Sequence, residues 1–227
     1  MADFKKAQEF VKLAEGGYGN DSRDHGNWTG GRVGSGVLIG TNHGISAPVL
    51  SEYLGRTATE SDMRNLSYET ALQIYKKNYW DALALSNLRN QSTALLIYDG
   101  AVNQGVGRMK GLIADSLSAV GISASRSERA SSLIEKVNSA PEKAFYDTLK
   151  EKRRSAYNPN SYAYQGWMNR LNKLGFFLTE QAKQIEQKVR AEVKKNPIAA
   201  VVIILGTITA VTALVVYRKS IIKSLNK

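Results

Sequence analysis

Three polar residues near the start of the chain are of the types that glycosidic-bond cleavage uses. Glu15 stands where an apolar-periodic segment meets two glycines, Asp24 follows nine residues later, and Thr41 ends a glycine-rich stretch. Such cleavage needs an acid that protonates the leaving oxygen and a second polar group that stabilises positive charge or positions water. Either these residues supply those groups, or Glu15 is a surface residue beside a glycine stop.

Two local elements are needed to bring these side chains together. Residues 1–16 are charged throughout, which excludes the apolar core of a signal peptide. They predict a helix with Glu15 at its end, because four apolar residues share one helical face: Phe4, Ala7, Val11 and Ala14. Residues 28–46 are too glycine-rich for a helix and alternate enough for a small β-hairpin. The sequence therefore predicts a helix end facing a hairpin across a cleft.

Three further side chains are candidates for contacts with a sugar substrate. Tyr18 either lines the cleft or caps the first helix. Asp21 competes with Asp24 for the role of second carboxylate, and the sequence does not separate the two. Asn103, in the segment DGAVNQG, either hydrogen-bonds a sugar N-acetyl group or caps the helix that follows.

The middle of the chain predicts mainly helices. Residues 66–83 have apolar side chains at helical spacing, and Ser67 is placed to cap this helix through Thr70. Further helices are predicted in three segments: 91–121, 127–139 and 141–157. The first of these segments is predicted to form two helices separated at NQGVG. The predicted fold class is therefore mainly α, with one small β-hairpin.

Composition excludes several other kinds of site. The chain has no cysteine, so it has neither disulfides nor thiolate metal ligands. Its two histidines, His25 and His43, match no metal-ligand spacing, and we expect neither a metal nor a cofactor. The glycine-rich stretch lacks the G-x-x-x-x-G-K-[ST] pattern of a phosphate loop, which argues against nucleotide binding.

The C-terminal third predicts a membrane anchor. Residues 198–216 contain no charge, and a helix of that length spans about 28 Å, close to the bilayer hydrocarbon core. Residues 151–227 carry ten of the eleven net positive charges, and basic residues bracket the uncharged run, as expected beside anionic lipid headgroups. This arrangement favours a lipid bilayer over nucleic acid as the partner. The predicted segments are an amphipathic linker helix (177–196), a transmembrane helix (197–217) and a basic tail (218–227).

Several ordered blocks of the sequence resemble one known family. The blocks EGGYGND, RDHGNWTGG and GTNHGIS are similar to glycoside hydrolase family 108, the lysozyme-like N-acetylmuramidases common in phages and prophages. YETALQIYKKNYWDAL, YDGAVNQGVGRMKGLI and the closing block from AFYDTLK to NRLNKL resemble later parts of that family. The resemblance covers about residues 4–175, and the membrane segment is not part of the usual family domain.

The resemblance implies a lysozyme-like domain over residues 1–176, of which about 92–176 is the peptidoglycan-binding-like helical part. It implies that Glu15 is the catalytic acid, while Asp24 and Thr41 position water or stabilise the cation. With the predicted anchor, we expect a membrane-bound hydrolase of the β-1,4 bond between N-acetylmuramic acid and N-acetylglucosamine.

The resemblance to phage enzymes also implies a place of action. We expect the protein in a virion internal membrane or the host inner membrane, acting on periplasmic peptidoglycan during host penetration or lysis. Oligomer formation and contacts with virion membrane proteins stay open. The alternative is a catalytically silent, membrane-anchored scaffold that binds peptidoglycan or a partner protein.

Overall fold

The computed structural model describes residues 1–12, 17–161 and 163–175. Within these ranges the chain is mainly helical, as the sequence predicts. The helices are α1 (Phe4–Lys12), α2 (Ala47–Leu54), α3 (Glu60–Arg64), α4 (Tyr68–Tyr75), α5 (Gln91–Gln104), α6 (Val106–Ala119), α7 (Ala130–Ser139), α8 (Glu142–Ser155) and α9 (Tyr164–Lys173). The described residues divide into two compact units: an N-terminal unit within Phe4–Asp81, and a C-terminal unit of Met1–Asp3 and the described residues from Ala82 onward.

Helix α1 supplies one apolar face to the core of the N-terminal unit. Ala7 and Val11, two residues of the predicted stripe, are fully buried. The ring of Phe4 meets the fully buried ring of Trp80 edge-on, with 5.7 Å between the centroids. Edge-to-face aromatic pairs add to the free energy gained by burial alone. The amphipathic helix predicted from the sequence is therefore confirmed over Phe4–Lys12.

Helix α4 begins where the sequence predicts. The Ser67 hydroxyl accepts a hydrogen bond of 3.1 Å from the backbone N–H of Thr70, which satisfies a free donor of the first turn. The α-helix is shorter than the predicted segment 66–83, because it ends at Tyr75. A π-helical segment, Lys76–Trp80, follows it directly.

The glycine-rich segment 28–46 forms a turn-rich loop and not the predicted regular hairpin. Trp28 and Leu38 pair in an isolated antiparallel bridge. Among the described residues, β-pairing is limited to such isolated bridges. Five glycines within the segment have φ angles between 71° and 87°: Gly31, Gly34, Gly36, Gly40 and Gly44. Glycine adopts this left-handed backbone conformation without steric cost, and the conformation interrupts the extended backbone that a strand needs. The antiparallel pairing is thus confirmed at the base of the loop, whereas continuous strands are not.

The C-terminal unit is a cluster of helices with an apolar core. Helices α5 and α6 meet at Gly105, whose φ of 89° ends the first and begins the second, so the predicted break at NQGVG is confirmed. Helices α5, α6 and α8 pack on one another, α7 contacts α6 and α8, and α9 contacts α8. Leu96, Ile113 and Leu149 are among the buried residues that these helices contribute.

A buried ionic network joins three helices of the C-terminal unit. Asp99 of α5 is fully buried; one of its carboxylate oxygens lies 2.8 Å from Arg153 Nη2 and the other 2.6 Å from Arg170 Nε. Arg153, which is also fully buried, donates a further hydrogen bond of 2.7 Å to the carbonyl of Leu96. At Gly100 a Cβ atom would lie 2.4 Å from Met109 Sδ and 2.8 Å from Arg153 Nε, so both side chains pack directly against this glycine.

Among the described residues, no helix has the length and apolar character needed to cross a membrane. The predicted linker helix (177–196), transmembrane helix (197–217) and basic tail (218–227) lie outside those residues. The predicted domain limits at residues 176, 196 and 217 therefore stay predictions.

Candidate active site

The loop that carries the candidate residues is organised around one buried amide, Asn27, which is 3 % exposed. Its backbone carbonyl accepts hydrogen bonds from the N–H groups of Ile39 (2.9 Å) and Gly40 (3.1 Å). Its side-chain Nδ2 donates to the carbonyl of Asp21 at 2.9 Å, and its Oδ1 accepts the hydroxyl of Thr41 at 2.5 Å. One residue thus joins the two sides of the loop.

The backbone of Thr41 is held in place by a second segment. Thr41 and Gly19 form an antiparallel bridge in which both N–H···O distances are 2.8 Å. The neighbouring Gly40 has a φ of 87°, and a Cβ there would lie 2.5 Å from the carbonyl oxygen of Gly19. Only glycine permits this approach, so Gly40 is what brings Thr41 against the segment that begins at residue 17.

Asp24 and Thr41, two of the predicted catalytic residues, come together at Gly26. Asp24 is exposed and caps the short 3₁₀ turn His25–Asn27, where its Oδ1 accepts the N–H of Gly26 at 2.8 Å. A Cβ on Gly26 would lie 3.4 Å from Asp24 Oδ1 and 3.9 Å from Thr41 Oγ1. The Cβ of Ser46 would also lie 3.4 Å away, so one carboxylate oxygen, one hydroxyl oxygen and one apolar atom surround this face of Gly26.

Asp21 is engaged elsewhere. Its carboxylate pairs with Arg23 at 2.8 Å, and both side chains are largely exposed. Hydrogen bonds from the Arg23 side chain and backbone lower the pKa of Asp21 to about 2. Asp21 is thus paired with its neighbour, whereas Asp24 caps the turn at Gly26, and the choice of Asp24 as the second carboxylate stays a prediction.

Tyr18 is part of a polar cluster with helix α3. Its hydroxyl lies 3.1 Å from Glu60 Oε1 and 3.3 Å from the carbonyl of Ile39, and the Arg64 guanidinium lies 4.1 Å from the centre of its ring. Desolvation and the hydrogen bond to Glu60 raise the pKa of Tyr18. The side chain therefore links the loop to α3, and its predicted contact with substrate stays a prediction.

Asn103 lies in the C-terminal unit. It occupies the last turn of α5, and α6 is preceded by Gly105, so the interpretation of Asn103 as the cap of the next helix is wrong. Its Oδ1 accepts the hydroxyl of Tyr157 at 2.8 Å, and the Tyr157 ring stacks on Trp167 with 5.0 Å between centroids. The alternative interpretation, binding of an N-acetyl group, stays a prediction.

Glu15, the predicted acid, lies outside the described residues, so its position relative to Asp24 and Thr41 stays a prediction. In the described part of the chain, no cluster of histidine, aspartate and glutamate has an arrangement suited to a metal ion.

Sequence reasoning missed three residues of this region: Asn27, Glu60 and Arg64. Glu60 and Arg64 lie on α3, whose capping box between Thr59 and Asp62 was a readable local signal. No local signal marks Asn27, because its side-chain partners are six and fourteen residues away in the sequence.

Two comparisons with known proteins found a similarity, one in sequence and one in fold. Residues 8–105 match the model of the family described as glycosyl hydrolase 108, which confirms the resemblance over that range. The fold is similar to the solved structure of Brucella abortus SagA, with 23 % sequence identity, a TM-score of 0.57, and coverage of 75 % of this chain and 90 % of that chain. No curated protein matches the chain. The family match includes Glu15, Asp24 and Thr41, whereas the likeness to SagA is one of fold.

Proposed function

We propose that this protein is a peptidoglycan hydrolase that cleaves the β-1,4 bond between N-acetylmuramic acid and N-acetylglucosamine. The observation that carries the proposal is the match of residues 8–105 to glycosyl hydrolase 108, a range that contains all three candidate catalytic residues. The convergence of Asp24 and Thr41 at Gly26 supports it, because hydrolysis needs polar groups that act on water beside the acid.

In the proposed reaction Glu15 is the general acid. It donates its proton to the glycosidic oxygen as the bond to the anomeric carbon breaks, so the leaving sugar departs as a neutral alcohol. Positive charge then develops on the anomeric carbon and the ring oxygen of the other sugar, and one water molecule supplies the new hydroxyl group.

Asp24 and Thr41 act on the sugar that becomes positively charged and on the attacking water. The carboxylate of Asp24 either takes a proton from the attacking water or stabilises the developing cation. In the second case the Glu15 carboxylate, which has given up its own proton, takes the proton of the water. The hydroxyl oxygen of Thr41 accepts a hydrogen bond from the same water and holds it in position. We place this water near Gly26, within hydrogen-bonding distance of Asp24 and Thr41.

Product analysis with the full-length chain in detergent and purified murein tests this function. We expect new reducing ends on N-acetylmuramic acid, identified by borohydride reduction and mass spectrometry. Reducing ends on N-acetylglucosamine, anhydro-sugar ends or free peptides would each identify a different bond or reaction and would contradict the proposal. Murein that is bound without cleavage would favour the alternative, a catalytically silent scaffold.

Asp24→Asn is expected to lower kcat for murein cleavage by about 10²-fold, as for loss of a positioned acid–base or charge-stabilising group. The asparagine oxygen can still accept the N–H of Gly26, so the substitution removes the charge and keeps the turn. The matched control is Asp21→Asn. It removes an equal charge at a position three residues before Asp24, from a side chain that is part of an exposed ion pair. Initial rates of reducing-end release measure both, and a larger loss for Asp21→Asn would reverse the assignment.

We also propose that residues 198–216 anchor the chain in a lipid bilayer and so limit hydrolysis to peptidoglycan near that membrane. The support is the uncharged run itself and the basic residues on both sides of it. An anchored muramidase suits either host penetration or host lysis by a phage, with the catalytic domain facing periplasmic peptidoglycan.

Leu205→Arg is expected to weaken membrane retention, because a charge at the centre of a spanning helix costs about 2.5–3.5 kcal/mol on insertion. Flotation of the full-length chain with liposomes measures the effect, and murein cleavage is expected to persist. Asn226→Arg adds the same charge to the basic tail and is the control. An unsubstituted chain that stays at the bottom of the gradient would contradict the anchor.

A further inference from the structure

We propose that Asn27 is a positioning residue: its amide oxygen accepts the one hydrogen bond that the Thr41 hydroxyl can donate. Thr41 then faces water or sugar only as a hydrogen-bond acceptor. This inference rests on the proposed function, because it concerns the same site. Asn27 touches neither the attacking water nor the sugar in this proposal. It acts through the direction in which the Thr41 hydroxyl points.

The hydrogen bonds of the Asn27 amide determine which way it faces. Its Nδ2 lies 2.9 Å from the backbone carbonyl of Asp21, an atom that can only accept. The amide nitrogen must therefore face Asp21, and the amide oxygen faces Thr41 at 2.5 Å. Because that oxygen also can only accept, the proton between the two residues belongs to Thr41.

The consequence is that Thr41 has no proton left to donate. A threonine hydroxyl carries one donor and two acceptor lone pairs. With its proton directed at Asn27, Thr41 Oγ1 has only acceptor capacity for a ligand at Gly26, 3.9 Å from the place where a Cβ would stand. Such a ligand must supply an O–H or N–H group, as water and sugar hydroxyls do.

This arrangement is fixed before any substrate binds. The Thr41 backbone is held by two bonds to Gly19, and the Asn27 backbone accepts from Ile39 and Gly40. Burial of Asn27 to 3 % exposure excludes most water that would compete for its amide. A water held by Thr41 and Asp24 as acceptors points its remaining lone pairs away from them, toward an electrophilic carbon.

A double-mutant cycle on kcat tests the inference with full-length protein and murein. Asn27→Ala and Thr41→Val are each expected to lower kcat by about tenfold, the size typical of losing one positioned hydrogen bond. Because both changes remove the same interaction, the double variant is expected to be no slower than the slower single variant. Thermal unfolding of all four proteins separates stability from kcat.

Losses in kcat that multiply in the double variant would overturn the inference, since Asn27 would then act independently of Thr41. If Asn27→Ala does not unfold cooperatively, Asn27→Asp replaces it. The retained oxygen still accepts the Thr41 proton, whereas the oxygen that replaces the amide nitrogen repels the Asp21 carbonyl. We therefore expect a lower Tm and a smaller kcat loss than in Thr41→Val. An equal or larger loss would overturn the inference. A wild-type protein that releases no reducing ends would instead overturn the proposed function.

Discussion

Glu15→Gln is expected to lower kcat for murein cleavage by about 10²–10⁴-fold, the contribution of a well-placed general acid. Glutamine has nearly the same shape as glutamate, so the chain is expected to fold, but the amide has no acidic proton for the leaving oxygen. Release of reducing ends measures the effect. The matched control is Glu9→Gln, because Glu9 is an exposed carboxylate on α1 whose loss changes the net charge equally.

The choice of substrate separates loss of acid catalysis from other damage at the site. A leaving group such as nitrophenolate departs without a proton, so a muropeptide glycoside of nitrophenol needs little help from an acid. We expect Glu15→Gln to retain much more of the wild-type rate on that compound than on murein. Equal losses on both substrates, or an equal loss in Glu9→Gln, would contradict the role of Glu15 as the acid.

Two helix boundaries that the sequence predicted correctly carry local signals. Ser67 caps α4 and Gly105 separates α5 from α6, as their types and positions indicate. Helices α2 and α3, with eight and five residues, were missed because such short segments give little periodic signal. For α3 the reciprocal cap between Thr59 and Asp62 was readable and was overlooked.

Candidate residues for the site could be listed from the sequence, but their arrangement could not be predicted from it. Asp21, Asp24 and Thr41 were recognisable from residue type and order, but their roles depend on hydrogen bonds that form only when the loop folds. Asp21 is paired with Arg23, whereas Asp24 borders Thr41 at Gly26, and nothing in the order of these residues distinguishes the two carboxylates. Asn27 was missed for the same reason, since its partners are distant in sequence.

The second prediction with a large effect concerns the stability of the C-terminal unit. Asp99→Asn is expected to lower the free energy of unfolding by about 3–5 kcal/mol, the cost of breaking a buried ion pair from one side. The carboxylate of Asp99 and the guanidinium of Arg153 are both fully buried, and Arg170 is 15 % exposed. Removing the single negative charge leaves two cations near each other with little water to solvate them.

Chemical denaturation of the full-length chain, followed by circular dichroism, measures this loss. The control is Asp147→Asn, which removes the same charge from an exposed pair with Lys143 on α8. We expect that change to cost only about 0–1 kcal/mol, because water solvates both partners of an exposed pair. Losses of equal size in the two variants would show that burial of the Asp99 network contributes nothing specific. A large loss confined to Asp99→Asn would show that this carboxylate holds α5 against α8 and α9.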